Sequence, residues 1–123
     1  MSTPDDAQAT KSFNREVKFA LDAVIFSLMG PNVLSSLYKH LKEHYNVDPD
    51  EVPYRLETMS SVLESVFGLA GVRTIEKATA KRLYNLYHLD FVDKPNYRLQ
   101  DYLEQAKKEL AARSGGFTYN QHT

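Results

Sequence analysis

Between Asn14 and Arg113 the apolar residues recur at intervals of three and four, and the pattern is interrupted four times by residues that stop a helix. This spacing places side chains on one face of an α-helix, whereas a half-buried strand needs strict alternation. No run alternates over more than four residues, and the Phe91-Val92-Asp93 piece is too short to build a sheet. The chain must therefore bury its apolar surface by packing helix on helix.

Five helices are predicted. The first runs from about Asn14 to Met29 and turns Val17, Leu21, Val24, Ile25 and Leu28 inward. Gly30-Pro31 ends it and begins the next, because glycine accepts a left-handed cap and proline suits a first helical position. The second covers about Pro31 to Tyr45, with Leu34, Leu37, Tyr38, Leu41 and Tyr45 inward and Asn46 as its C-cap. Two prolines within Asp48 to Pro53 exclude a continuing helix and leave room for one tight turn. The third, about Leu56 to Phe67, buries Leu56, Met59, Leu63, Val66 and Phe67 and is closed by Gly68. The fourth, about Ala70 to His88, carries Val72, Ile75, Thr79, Leu83 and Leu86. After a break at Asp90 to Asn96, the fifth spans about Tyr97 to Arg113 with Leu99, Tyr102, Leu103, Ala106 and Leu110. Residues 1–12 lack apolar periodicity, and Ser114-Gly115-Gly116 should stop the last helix. The expected fold is all-α: a single compact bundle over residues 13–113, with disordered tails at 1–12 and 114–123.

Composition narrows function mainly by exclusion. The 123 residues contain no cysteine, so thiol nucleophiles, thiolate metal sites and disulfides are absent, as suits a reducing cytoplasm. The most apolar stretch, Phe19 to Met29, is interrupted by Asp22 and is far short of the roughly 20 residues that span a bilayer, so no membrane partner is expected. A net charge of −1 provides no overall field to gather polyanions. The charge is unevenly divided, however: residues 1–61 carry 6 basic and 9 acidic groups, and residues 62–123 carry 9 and 7.

Few motifs bear chemistry. His40-Leu41-Lys42-Glu43-His44 matches the H-x-x-E-H pattern of inverted zinc proteases, in which imidazoles one turn apart hold the metal. No third ligand is evident and the chain is small for such an enzyme, so boundary positions on the second helix are the expected role. Asp48, Asp50 and Glu51 have the spacing of early calcium-loop ligands without the glycine and distal glutamate, and read as helix caps. There is no phosphate-binding glycine loop and no G-x-S-x-G elbow. No catalytic, cofactor or metal residues are assigned. The remaining candidate is a basic row: Arg73, Lys77 and Lys81 recur every fourth residue on one helix face, with Arg82 beside them. This row could meet phosphates or an acidic partner, with Tyr84 and Tyr87 stacking on bases or lining an interface. A plain solvated face is the alternative.

Several features in order carry a resemblance: Gly30 before Val33, Leu37-Tyr38-Lys39-His40-Leu41, Asp50-Glu51-Val52-Pro53, Val66-Phe67-Gly68, Thr74-Ile75-Glu76-Lys77 and Leu83-Tyr84. Over roughly Val17 to Lys107 the chain resembles the small archaeal helical family described as Nitrososphaera output domains, found alone or attached to two-component signalling proteins. The resemblance implies a helical domain in archaeal signalling or regulation, with no catalytic set to transfer. The expectation is a non-enzymatic interaction module acting through a regulatory protein or self-association. A small DNA- or RNA-binding regulator using the basic row is the first alternative, and a small-ligand sensor the second.

Overall fold

The computed structural model describes the backbone of residues 4–120 and the side chains of residues 9–113. Helix α1 spans Pro4–Met29, α2 Pro31–Tyr45, α3 Leu56–Leu86 and α4 Leu99–Asn120, with a 3₁₀ turn at Pro49–Tyr54. Within α3 the backbone is helical except at Gly68, where φ is 78° and ψ is 172°. Ser60 and Glu76 lie on either side of it, 16 residues apart, a distance of about 24 Å along a straight helix. Their side chains nonetheless meet at 2.6 Å, so the chain folds back at Gly68 into a first arm, residues 56–67, and a second arm, residues 69–86. With these two arms the described residues form an all-α bundle of five helical segments.

Local chemistry sets each break. Gly30 takes φ 92° between α1 and α2, and Pro31 starts α2. Asn46 closes α2 in the left-handed conformation, its N–H donating to the Lys42 carbonyl, while the Val47 N–H donates to Leu41. The 3₁₀ turn begins with a capping box in which Glu51 accepts from the Asp48 N–H at 2.9 Å. At the reversal, Gly68 supplies a positive φ that a side chain disfavours. Gly71 supplies closeness, since a Cβ there would lie 2.7 Å from the Phe67 Cβ.

Packing divides the core into two storeys. In one, Leu21, Val24 and Ile25 of α1 meet Leu37 and Leu41 of α2, Met59, Val62 and Leu63 of the first arm, and Val72 and Ile75 of the second. In the other, Phe13 and Val17 meet Ala80, Leu83 and Tyr84 of the second arm and Leu99, Tyr102, Leu103 and Ala106 of α4. Helix α1 and the second arm run through both. A fully buried aliphatic side chain contributes about 1.5–3 kcal/mol of hydrophobic stabilisation, so these layers supply the main driving force.

Four side chains predicted to face inward are about half exposed: Leu28 (52%), Tyr45 (45%), Val66 (57%) and Leu86 (51%). Each sits in the last turn of its helical segment. The helices also run further than the packing does. Residues 4–12, expected to be a tail, continue α1 with helical backbone, and residues 9–12 are exposed. Residues 114–120 likewise continue α4 across Gly115-Gly116. Glycine costs a helix about 1 kcal/mol but does not forbid its dihedrals. The tail expectations for residues 1–3 and 121–123 lie outside the described residues.

Candidate anion-binding cleft

The second arm of α3 and the start of α4 are joined by residues 87–98, and several bonds press this connection onto the bundle. His88 adopts φ 57°, which lets the Leu89 N–H reach the Tyr84 carbonyl at 2.8 Å and drops Leu89 into the core. Arg113 donates to the carbonyls of Tyr87 and His88 at 3.1 and 3.2 Å. The Tyr102 hydroxyl accepts from the Lys94 N–H at 3.0 Å and lies 3.2 Å from the Lys94 carbonyl.

The strongest tie is Glu76, only 2% exposed, at the level where the two core storeys meet. Its carboxylate accepts from Ser60 Oγ at 2.6 Å, Arg98 Nε at 2.8 Å, Arg98 Nη2 at 3.0 Å and the Leu99 N–H at 3.1 Å. One side chain therefore holds both arms of α3 together and caps the N-terminus of α4. Burial pushes the Glu76 carboxyl up, but the hydrogen bonds from Arg98, Ser60 and Leu99 outweigh it and hold it below the ordinary glutamate value.

Between the second arm and this pinned connection lies a cleft of about 580 Å³ lined by Arg73, Thr74, Lys77, Ala78 and Lys81 on one side and Asp93, Lys94, Pro95, Tyr97 and Tyr102 on the other. Three of the four cations of the predicted row, Arg73, Lys77 and Lys81, thus share it. Arg82 is exposed outside it. The opposite wall adds Lys94, which the sequence pattern did not single out. Its Nζ lies 4.8 Å from the Tyr97 ring centroid and donates to Gln105 at 3.2 Å.

Four cations thus face a single carboxylate. Asp93 accepts from Lys77 Nζ at 2.9 Å, both side chains being about half exposed. The hydrogen bond and charge of Asp93 raise the Lys77 ammonium above its usual value, so Lys77 is a fixed cation rather than a base. Arg73 reaches the Pro95 carbonyl at 3.4 Å. Lys81 Nζ has no hydrogen-bond or ion-pair partner among the described residues.

The two candidate tyrosines do not join this site. Tyr84 is 1% exposed and donates to the Tyr102 carbonyl at 2.6 Å, and burial pushes its phenol up to about 12. Tyr87 is half-buried, stacked on Phe13 at 5.7 Å. Tyr84 offers no face to a base or a partner, which corrects the expectation that it lines an interface, and Tyr87 lies outside the cleft. Lys107 does not extend the basic row: it borders a separate cleft with Arg55, Glu57 and Glu104.

His40 and His44 are exposed with ring centroids 4.4 Å apart, and no group of three or more His, Cys, Asp or Glu that could hold a metal occurs among the described residues. Asp48 pairs with Lys42 at 3.0 Å as well as capping the 3₁₀ turn. No described helix is long and apolar enough to cross a membrane. Comparison of the chain with protein-family models, curated proteins and solved structures finds no match.

Proposed function

We propose that this chain is a non-enzymatic interaction module that holds an acidic segment of a protein partner in the cleft between the second arm of α3 and residues 87–98. The observation that carries this reading is the convergence of Arg73, Lys77, Lys81 and Lys94 on one cleft with a single carboxylate, Asp93. Asp93 also acts as an internal stand-in for the guest: it seats a carboxylate on Lys77 at hydrogen-bond distance. Exposed ion pairs are worth at most about 1 kcal/mol, so a partner's carboxylate can displace it at little cost.

An acidic peptide suits the cleft better than a nucleic acid because no open aromatic face lies within it. The Tyr97 ring stands edge-on to Tyr102 at 5.1 Å and under Lys94, and Tyr102 is 3% exposed. The place of such a module in archaeal signalling rests on the family resemblance of residues 17–107.

Fluorescence anisotropy with a labelled polyglutamate peptide tests the reading. Binding should weaken as salt rises, and Lys81→Glu should reduce affinity about fivefold to tenfold, the effect of reversing one exposed charge. Absence of binding at low salt, or equal affinity in Lys81→Glu, would refute it.

A further inference from the structure

A second basic surface lies on α1, away from the first cleft's lining residues, and it has what that cleft lacks. On α1, Lys11, Asn14, Arg15, Lys18 and Phe19 follow at helical spacing and form one side of a cleft of about 440 Å³; Asp50, Pro53 and Tyr54 of the 3₁₀ turn form the other. Phe19 is 51% exposed and Tyr54 61%, the latter the largest exposure among the bulky apolar side chains of the described residues. Aromatic side chains are enriched at contact surfaces relative to the rest of a protein's surface.

The cations are arranged around these rings. Lys11 and Arg15 are exposed one turn apart, and neither has an ion-pair partner among the described residues. Lys18 lies one turn further on, its Nζ 5.5 Å from the Phe19 ring centroid and 2.8 Å from Asp22. Asp22 also accepts from the Tyr38 hydroxyl, so the Lys18 end of the surface is rigidly held. Asp50 is the single carboxylate lining the cleft.

We infer that this α1 surface binds single-stranded nucleic acid, with bases on Phe19 and Tyr54 and phosphates on Lys11 and Arg15. Stacking on open rings combined with cations along the backbone is how proteins hold single strands without reading sequence. An acidic peptide would use the cations but would leave both exposed rings without a role. The inference is independent of the acidic-peptide cleft, which shares none of its lining residues.

The test is anisotropy of a labelled oligouridine and a labelled oligothymidine against the whole chain in a salt series. Wild-type protein should bind at low salt, with affinity falling linearly on a log–log plot against salt. Tyr54→Ala and Phe19→Ala should each weaken binding about tenfold, and Arg15→Glu should do so while lowering the salt slope. Because all three side chains are exposed, circular dichroism should show unchanged folding. Lys81→Glu, in the other cleft, should leave oligonucleotide binding unaltered. No binding at low salt would overturn the inference. So would binding that Tyr54→Ala and Phe19→Ala leave intact, binding that Lys81→Glu abolishes, or a preference of this surface for polyglutamate that Arg15→Glu removes.

Discussion

Replacing Glu76 by glutamine would remove one charge and two of the acceptor lone pairs from the point where three helical segments meet. Four donors converge on this carboxylate: Ser60 Oγ, two Arg98 nitrogens and the Leu99 N–H. Glutamine keeps the shape but turns one oxygen into an NH₂ group that faces donors. Removing one partner of a buried ion pair costs about 3–5 kcal/mol. Here Arg98 is 33% exposed and can recover water, which reduces the expected loss to about 2–3 kcal/mol. A domain of this size is stable by about 5–15 kcal/mol, so a drop in Tm of about 10 °C is expected.

Urea unfolding followed by circular dichroism measures the loss, and its pH dependence identifies the cause. The folded-state pKa of Glu76 lies below its ordinary value of 4.5, so its contribution is fully present above that value and disappears as pH falls through the lower folded-state value. The gap between wild type and Glu76→Gln should be widest at neutral pH and should close on acidification. In the Glu76→Gln background, Arg98→Met should cost little more, because the two side chains act as a unit. A loss below about 0.5 kcal/mol at neutral pH, or a gap that persists undiminished in acid, would refute the reasoning.

Three further outcomes follow from particular side chains. Gly71→Ala forces a methyl to within 2.7 Å of the Phe67 Cβ and Gly68→Ala strains a φ of 78°, so each should lower stability by about 1–2 kcal/mol, measured by urea midpoint at constant m-value. Asp93→Asn removes the resident carboxylate from Lys77 and should raise polyglutamate affinity a few-fold while moving stability by less than about 1 kcal/mol, read by anisotropy and thermal melting. Tyr84→Phe should cost about 1 kcal/mol and remove the late phenol transition near pH 12 from an ultraviolet titration of the protein.

The apolar spacing in the sequence located the helical segments because amphipathic periodicity is a local property. Gly68 was legible as a stop because glycine favours the positive φ that ends a helix. The spacing could not say where along a helix a neighbour is present, and Leu28, Tyr45, Val66 and Leu86 were therefore placed inside although about half of each is exposed. Tyr84 failed in the opposite direction. The second arm packs against α1 on one side and α4 on the other, so its buried face is wider than the stripe set by Ile75, Thr79 and Leu83.

The basic row itself was legible as Arg73, Lys77 and Lys81 at fourfold spacing. Its opposite wall was not, since Lys94 and Tyr97 lie in a connection with no periodicity to read. Glu76 looked like one more charge beside that row, and its burial depends on Arg98, 22 residues away on another element. The α1 surface was not singled out because Phe19 lies off the inward stripe of Val17, Leu21, Val24 and Ile25 with no motif around it, and because Tyr54 lies beyond the helices in the 3₁₀ turn.

Whether the cleft beside the second arm of α3 receives an acidic segment can be read from amide chemical-shift mapping during titration with polyglutamate. Saturable shifts should group at Arg73, Thr74, Lys77, Ala78, Lys81, Lys94 and Tyr97, and the Lys81→Glu protein should need about fivefold to tenfold more peptide to reach the same shifts. Shifts confined to other surfaces, such as the apolar groove at Val33, Val62, Val66 and Phe67, or no saturable shift at all, would contradict it.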